Sequence, residues 1–176
     1  DELLGRMHHK TIYNISVADK HSVVISDSND TNSFLELLKK TAKRDRFSPH
    51  TEDYYKKLFN FSGLQTKLFI AEHNNKLVAV ALVLIYGGTG YYLHGASDYE
   101  YRSSMAPFAL HWQIIKQLKT QGLKYYDLWG IDARKWSGVT RFKLGWGGRT
   151  VEYPGSFDLT ISQVWHLIYK TVSRIF

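Results

Sequence analysis

The chain contains no cysteine. That excludes a disulfide framework and thiolate chemistry, and it agrees with a reducing compartment. No apolar run approaches the 18 residues that a membrane-spanning helix needs. No secretory leader pattern opens the sequence. The eight histidines, His8-His9 included, do not fall at metal-ligand spacings, so no metal is expected. Ser103-Ser104 has no base beside it, which argues against a serine nucleophile. Internal repeats, linkers and low-complexity segments are also missing. Acidic residues are the scarcer charge, 16 against 23 Lys and Arg, giving a net charge of +7. Such a balance favours anionic partners: nucleic acid, nucleotide phosphates or an anionic lipid surface.

What is present is a folding domain. At 176 residues, 44% apolar and 15% aromatic, the chain can bury a real core. It begins at Asp1 rather than Met, which suggests a piece of a longer protein. Residues 1–20 read as a basic lead-in helix and 21–176 as one domain. "SVVIS" (Ser22–Ser26) reads as a strand. Phe34, Leu37, Leu38 and Thr41 follow helical spacing, with Asn29, Asp30 and Thr31 as capping candidates. A short helix carries Tyr54, Tyr55, Leu58 and Phe59. "KLFIAEH" and "KLVAVALVLIY" read as a hairpin turned by Asn74-Asn75, and the second strand is apolar enough to be central. "GGTG" turns into "YYLHGAS". A long helix from Ser104 to Gln121 should face inward through Phe108, Trp112, Ile115 and Leu118, and Gly122 stops it. "KYYDLWG" follows as a strand, with Asp127 a structural residue at its end. "TVEYPGSFDLTI" reads as late strands. The last helix, Gln163–Phe176, should pack on the sheet through Val164, Trp165, Ile168, Val172 and Ile175. With Lys170 and Arg174, that helix also suits a membrane surface. The order predicts an α+β or α/β sandwich, with helices lying against one mixed sheet.

One stretch stands out chemically. In "VTRFKLGWGG" (Val139–Gly148), Arg141, Phe142 and Lys143 set two cations around one ring, directly before a glycine-rich run. The run reads as a turn or bulge where backbone approaches another molecule closely. On composition alone, Lys143 is better explained as a solvated lysine on an edge strand.

The central strand–long helix–strand unit resembles the core of the GNAT acyltransferase fold. GNAT enzymes hold the pyrophosphate of acetyl-CoA in a Gly-rich loop at the start of that helix. The equivalent loop here, "EYRSSMAPF" (Glu100–Phe108), has no glycine, and Pro107 removes a donor. Together "TAKRDRFSPHTEDYYKKL", "YYLHGASDYEYRSSMAPFALHWQIIKQLKTQGLKYYDLWGI" and "GVTRFKLGWGGRTVEYPGSFDL" resemble the FemABX peptidyltransferases. The resemblance covers most of Thr41–Leu159.

That resemblance implies an aminoacyltransferase that takes an amino acid from aminoacyl-tRNA and adds it to the stem peptide of a peptidoglycan precursor, without CoA. It implies the second of two GNAT-like domains, a partner domain elsewhere, and a cytoplasmic site at the inner face of the membrane. Lys143 matches the lysine implicated in transfer, with Phe142 and Arg141 near the donor's end. Tyr54 and His50 match a tyrosine and an arginine that contact the precursor's diphosphate; His50 exchanges a fixed charge for one that titrates near neutrality. Arg44 is a nearby substitute for it. Tyr92 and His94 are candidates for the acceptor channel. In the lead-in helix, Ile12 and Ser16 stand where arginines are expected. Two other classes remain open: a CoA-dependent N-acyltransferase, and a binding domain without chemistry of its own.

Overall fold

The computed structural model describes residues 2–61, 63–155, 157 and 159–172. Five strands form one sheet in chain order: β1 (Val24–Ser28), β2 (Gln65–His73), β3 (Lys76–Tyr86), β4 (Thr89–Ser97) and β5 (Tyr125–Asp127). The first four are antiparallel neighbours, and β5 runs parallel to β4. A parallel neighbour needs a crossover. A 3-10 turn (Tyr99–Ser104) and helix α5 (Ala106–Thr120) supply it; in numbering α5 we count α1 (Glu2–Arg6), α2 (His9–Lys20), α3 (Thr31–Asp45) and α4 (Glu52–Asn60) before it. The β2–β3 turn uses Asn74 and Asn75 at φ 52° and 58°, the left-handed pair that a two-residue hairpin requires.

β3 is the centre of the core, and its side chains alternate between two layers. Ala79, Ala81 and Val83 meet Ala106, Leu110, Ile114 and Leu118 of α5. Val80 and Leu82 join Phe34, Leu37 and Leu38 of α3 and Tyr55 of α4. Phe34 is fully buried between the rings of Tyr55 and Phe59, at 5.5 and 5.8 Å. Asp30 caps α3 by accepting the N–H groups of Asn32 and Ser33, and Thr51 caps α4 through Tyr54 N–H. α2 lies against α5, with Thr11 and Ala18 buried.

Four expectations need correction. The face of α5 on the sheet is Ala106, Leu110, Ile114 and Leu118; Phe108, Trp112 and Ile115 are half-buried. α5 is covered by α2 as well as by the sheet, so apolar residues ring it and periodicity alone cannot pick the inner stripe. The "TVEYPGSFDLTI" segment forms no strand among its described residues, and Tyr153, Leu159 and Ile161 are exposed; alternation without a partner edge makes no strand. The "VTRFKLGWGG" stretch is helix α6 (Ser137–Leu144) and its exit, not an edge strand or bulge. Finally, α7 (Gln163–Val172) buries none of its residues. Both sheet faces are already covered, so α7 finds no free apolar surface there. Ile175 and Arg174 lie outside the described residues.

Candidate functional site

A cavity of about 920 Å³ opens between α2, the end of α3, β4, the start of α5 and α6. Phe142, Arg141, Tyr92 and Arg44 line it, together with Lys10, Phe108 and His111. Its floor is aromatic: Phe142 lies edge-on to Phe108 and to His111, both at 5.1 Å, and Trp146 backs all three. Cations dominate the rim. Asp45 is the counter-charge, held by Arg44 in a two-pronged contact at 2.7 Å. A third Arg44 nitrogen donates to the Ser97 carbonyl at 2.9 Å, so this arginine is aimed at the end of β4.

α6 is positioned from both ends. At its start, Asp132 accepts the N–H groups of Arg134 and Lys135, and Thr140 Oγ1 accepts the N–H of Asp132. At its end, the Gly145 carbonyl accepts the N–H of His8 at 2.9 Å. Gly147 sits at φ 72°, so close to Arg6 that an added Cβ would lie 2.0 Å from the Arg6 carbonyl oxygen. The close backbone approach read from the glycine run is therefore real, but its partner is the chain's own lead-in segment.

Lys143 is half-buried on α6 and does not itself line the cavity. Its ammonium donates to the Gly130 carbonyl at 2.8 Å and stands 5.8 Å over the Tyr92 ring. Burial lowers its pKa, opposed by the charge of Asp127. His111, which the sequence reading passed over, is buried at the centre of the group. It shares a 2.8 Å hydrogen bond with the Tyr126 hydroxyl and meets the Tyr92 ring edge-on at 4.4 Å. Burial, with Lys143 nearby, pushes His111 down to about 3; burial pushes Tyr92 up to about 12. A lone imidazole inside an otherwise apolar helical run, "FALHWQII", was the available signal.

Tyr92 and His94 do not share a channel. Two residues apart on a regular strand they would face the same way. The β3–β4 register shifts between them: Leu82 pairs with His94 and Val83 with Tyr92, leaving Leu93 as the extra residue of a bulge. Tyr92 consequently joins the α5 layer, lying across Gly95, where a Cβ would collide with its hydroxyl. His94 turns to the α4 side. There it packs with His50 and Tyr54, each 5.9 Å away, and His50 lies on Tyr54 at 4.2 Å. Burial, helped by His50, holds His94 at about 4. The predicted residues thus form two groups: Phe142, Arg141, Tyr92 and Arg44 line the cavity with Lys143 behind Tyr92, and His50, Tyr54 and His94 stand apart from it.

The start of α5 suits a pyrophosphate poorly. Met105 N–H donates to Arg102 and Phe108 N–H to Met105, Pro107 has no N–H, and no glycine lets an anion approach the backbone. Among the described residues no helix is long and apolar enough to cross a membrane.

A mixed sheet with a crossover helix over β2 and β3, and a cleft at the end of β4, defines a GNAT-like domain. Solved structures share it. The crystal structure of FemX superposes with a TM-score of 0.74 at 19% identity, covering 84% of this chain and 55% of that one. An aminoglycoside acetyltransferase, meta-AAC0020, from an uncultured soil metagenomic sample superposes at 0.57 and 17% identity, covering 80% and 97%. The FemAB family model matches residues 1–76 and 62–174, and the chain belongs to the FemAB family. A lipid II:glycine glycyltransferase of Staphylococcus epidermidis is 29% identical over 116 residues, 62% of this chain and 28% of that protein. An aminoacyltransferase FemB of Staphylococcus epidermidis is 32% identical over 89 residues, 48% and 21% of the two chains. The matched stretches thus span less than a third of these relatives' length.

Proposed function

We propose that this chain is one GNAT-like half of an aminoacyltransferase that transfers an amino acid from aminoacyl-tRNA to the stem peptide of a peptidoglycan precursor. The observation that carries the reading is membership of the FemAB family, whose similar members are named as glycyl- and aminoacyltransferases. In the reaction an amine of the stem peptide attacks the ester carbonyl of the donor. A C–N bond forms, the ester C–O bond breaks, and the proton leaving the amine ends on the released ribose oxygen. The tetrahedral intermediate carries an oxyanion. Lys143 stabilises it by exchanging the Gly130 carbonyl for the developing charge. A half-buried ammonium beside the aromatic floor acts in a low dielectric, where its charge counts for more than in water. Phe142 holds the donor's aminoacyl end against Phe108, while Arg141, Arg44 and Lys10 attract its phosphates. His50 and Tyr54 take the acceptor's diphosphate on the other side of β4, with His94 packed beside them toward the acceptor channel.

On this reading residues 21–176 are the domain and 1–20 its lead-in, a second GNAT-like domain completes the enzyme, no CoA takes part, and the protein works in the cytoplasm at the inner face of the membrane. The fold likeness to acetyltransferases supports a rival, a CoA-dependent N-acyltransferase; the occupied donors at the start of α5 weigh against it. The test offers the longer protein that contains this chain two labelled donors, charged tRNA and acetyl-CoA, with a peptidoglycan precursor as acceptor. Label passing from tRNA to the precursor supports the proposal. Label passing from acetyl-CoA overturns it.

A further inference from the structure

The loop from Leu128 to Trp136 presents two tryptophans to solvent. Trp129 is 58% exposed and Trp136 56%. Trp129 also holds φ at 66°, a left-handed conformation that is costly for a bulky residue and persists where its surroundings enforce it. Those surroundings are plain. Asp127 accepts the N–H of Trp129 at 2.7 Å, and the Lys143 ammonium clamps the next carbonyl, Gly130. The strain gains no burial for the ring, which meets Tyr91 edge-on at 6.2 Å and otherwise faces water. In the following turn the Asp132 carboxylate accepts the backbone N–H groups of Arg134 and Lys135, the two basic residues that precede Trp136. The neighbours of this turn, Ala133 and Ser137, line the cavity. The surface is therefore a rim of exposed rings and cations beside the proposed reaction site, carried on a loop whose backbone is pinned at Trp129, Gly130, Arg134 and Lys135. From Lys124 to Arg149 the chain carries six basic residues against two acidic ones, interleaved with six aromatics.

We propose that Trp129 and Trp136 are stacking platforms for the unpaired bases at the 3′ end of an RNA, with Arg134 and Lys135 holding its phosphates. This rests on the reading that an RNA-borne ester is the donor. Flat rings stack on any base, and nearby cations track the backbone, which is the chemistry of single-strand binding. A membrane-seeking surface would instead gather its apolar groups on one contiguous face; here cations separate them.

The test uses the longer protein that contains this chain and two uncharged RNA hairpins, one blunt and one with a short single-stranded 3′ overhang. Trp129→Gly relieves the left-handed strain, so it should leave the melting temperature unchanged or raised. It should nevertheless weaken binding of the overhang hairpin by about tenfold, and Trp136→Ala by a similar factor, while blunt-hairpin binding stays the same. Trp136→Phe should keep most of the affinity. The double change Arg134→Ala and Lys135→Ala should weaken both hairpins and flatten the salt dependence. Unchanged overhang binding in both tryptophan variants overturns the proposal, as does a loss confined to anionic phosphatidylglycerol vesicles. If those variants also transfer amino acid from charged tRNA at the parent rate, the stacking surface falls and the functional reading stands. If the parent neither binds RNA nor transfers, both fall.

Discussion

Acid should loosen this fold earlier than its carboxylates alone would allow, and His111 is the reason. Its imidazole is buried among Tyr92, Tyr126, Phe142 and Trp146 and is held at about 3, so the folded chain keeps it neutral. In the unfolded chain it takes a proton near its ordinary value of about 6.5. Between those values the unfolded state binds a proton that the folded state does not, so stability rises with pH across that window and falls as pH drops through the unfolded value. At about 1.36 kcal/mol per unit, the loss from His111 reaches about 2 kcal/mol by about pH 5. His94, held at about 4, adds a smaller loss because solvent partly reaches it. Urea unfolding at about pH 7.5 and about pH 5 measures the difference. His111→Gln keeps a polar partner for the Tyr126 hydroxyl and removes the titration. The variant should be less stable at the higher pH yet lose about 2 kcal/mol less than the parent on acidification. Carboxylates held low, such as Asp98 and Glu52, contribute equally to both proteins and cancel in the comparison. Equal losses in parent and variant would show that His111 is not a buried neutral group, and the description of the aromatic floor would be wrong.

Three further outcomes follow from the packing. Gly147→Ala forces a Cβ onto the Arg6 carbonyl at φ 72°, and should cost about 1–3 kcal/mol in urea unfolding while freeing the lead-in helices to exchange amide hydrogen faster. Phe34→Ala empties a fully buried site between Tyr55 and Phe59 and should cost about 3–5 kcal/mol in the same assay. Gly95→Ala places a methyl where the Tyr92 hydroxyl lies, so transfer activity should fall further than stability, read as turnover beside the urea midpoint.

Much of this architecture was legible in the sequence. Asn74-Asn75 marked its hairpin because few other residues accept two successive left-handed conformations. The α3 stripe was readable because one of its faces is polar and solvated. α5 was not, because two layers cover it and the apolar pattern widens past a single stripe. Tyr92 and His94 were both acceptor-channel candidates, but the bulge at Leu93 turns them to opposite faces, and a one-residue insertion leaves no mark in composition. Phe142 and Lys143 were singled out for their chemistry, and their local structure was misread: the glycines after them suggested a turn or bulge, whereas they end a helix docked on the lead-in segment. His111 was missed because its role depends on Tyr126 and Tyr92, which meet it only after folding.

The central claim is that the Lys143 ammonium stabilises the oxyanion of aminoacyl transfer. Single-turnover transfer from charged tRNA to a peptidoglycan precursor, with the longer protein that contains this chain, tests it most directly. Lys143→Ala should slow transfer by about 10²–10³-fold, the usual cost of losing one oxyanion donor. Lys143→Arg should also be slow, because a planar fork cannot take the place of a point charge between Gly130 and Tyr92. Transfer at the parent rate by the Ala variant, with its fold intact, would contradict the account.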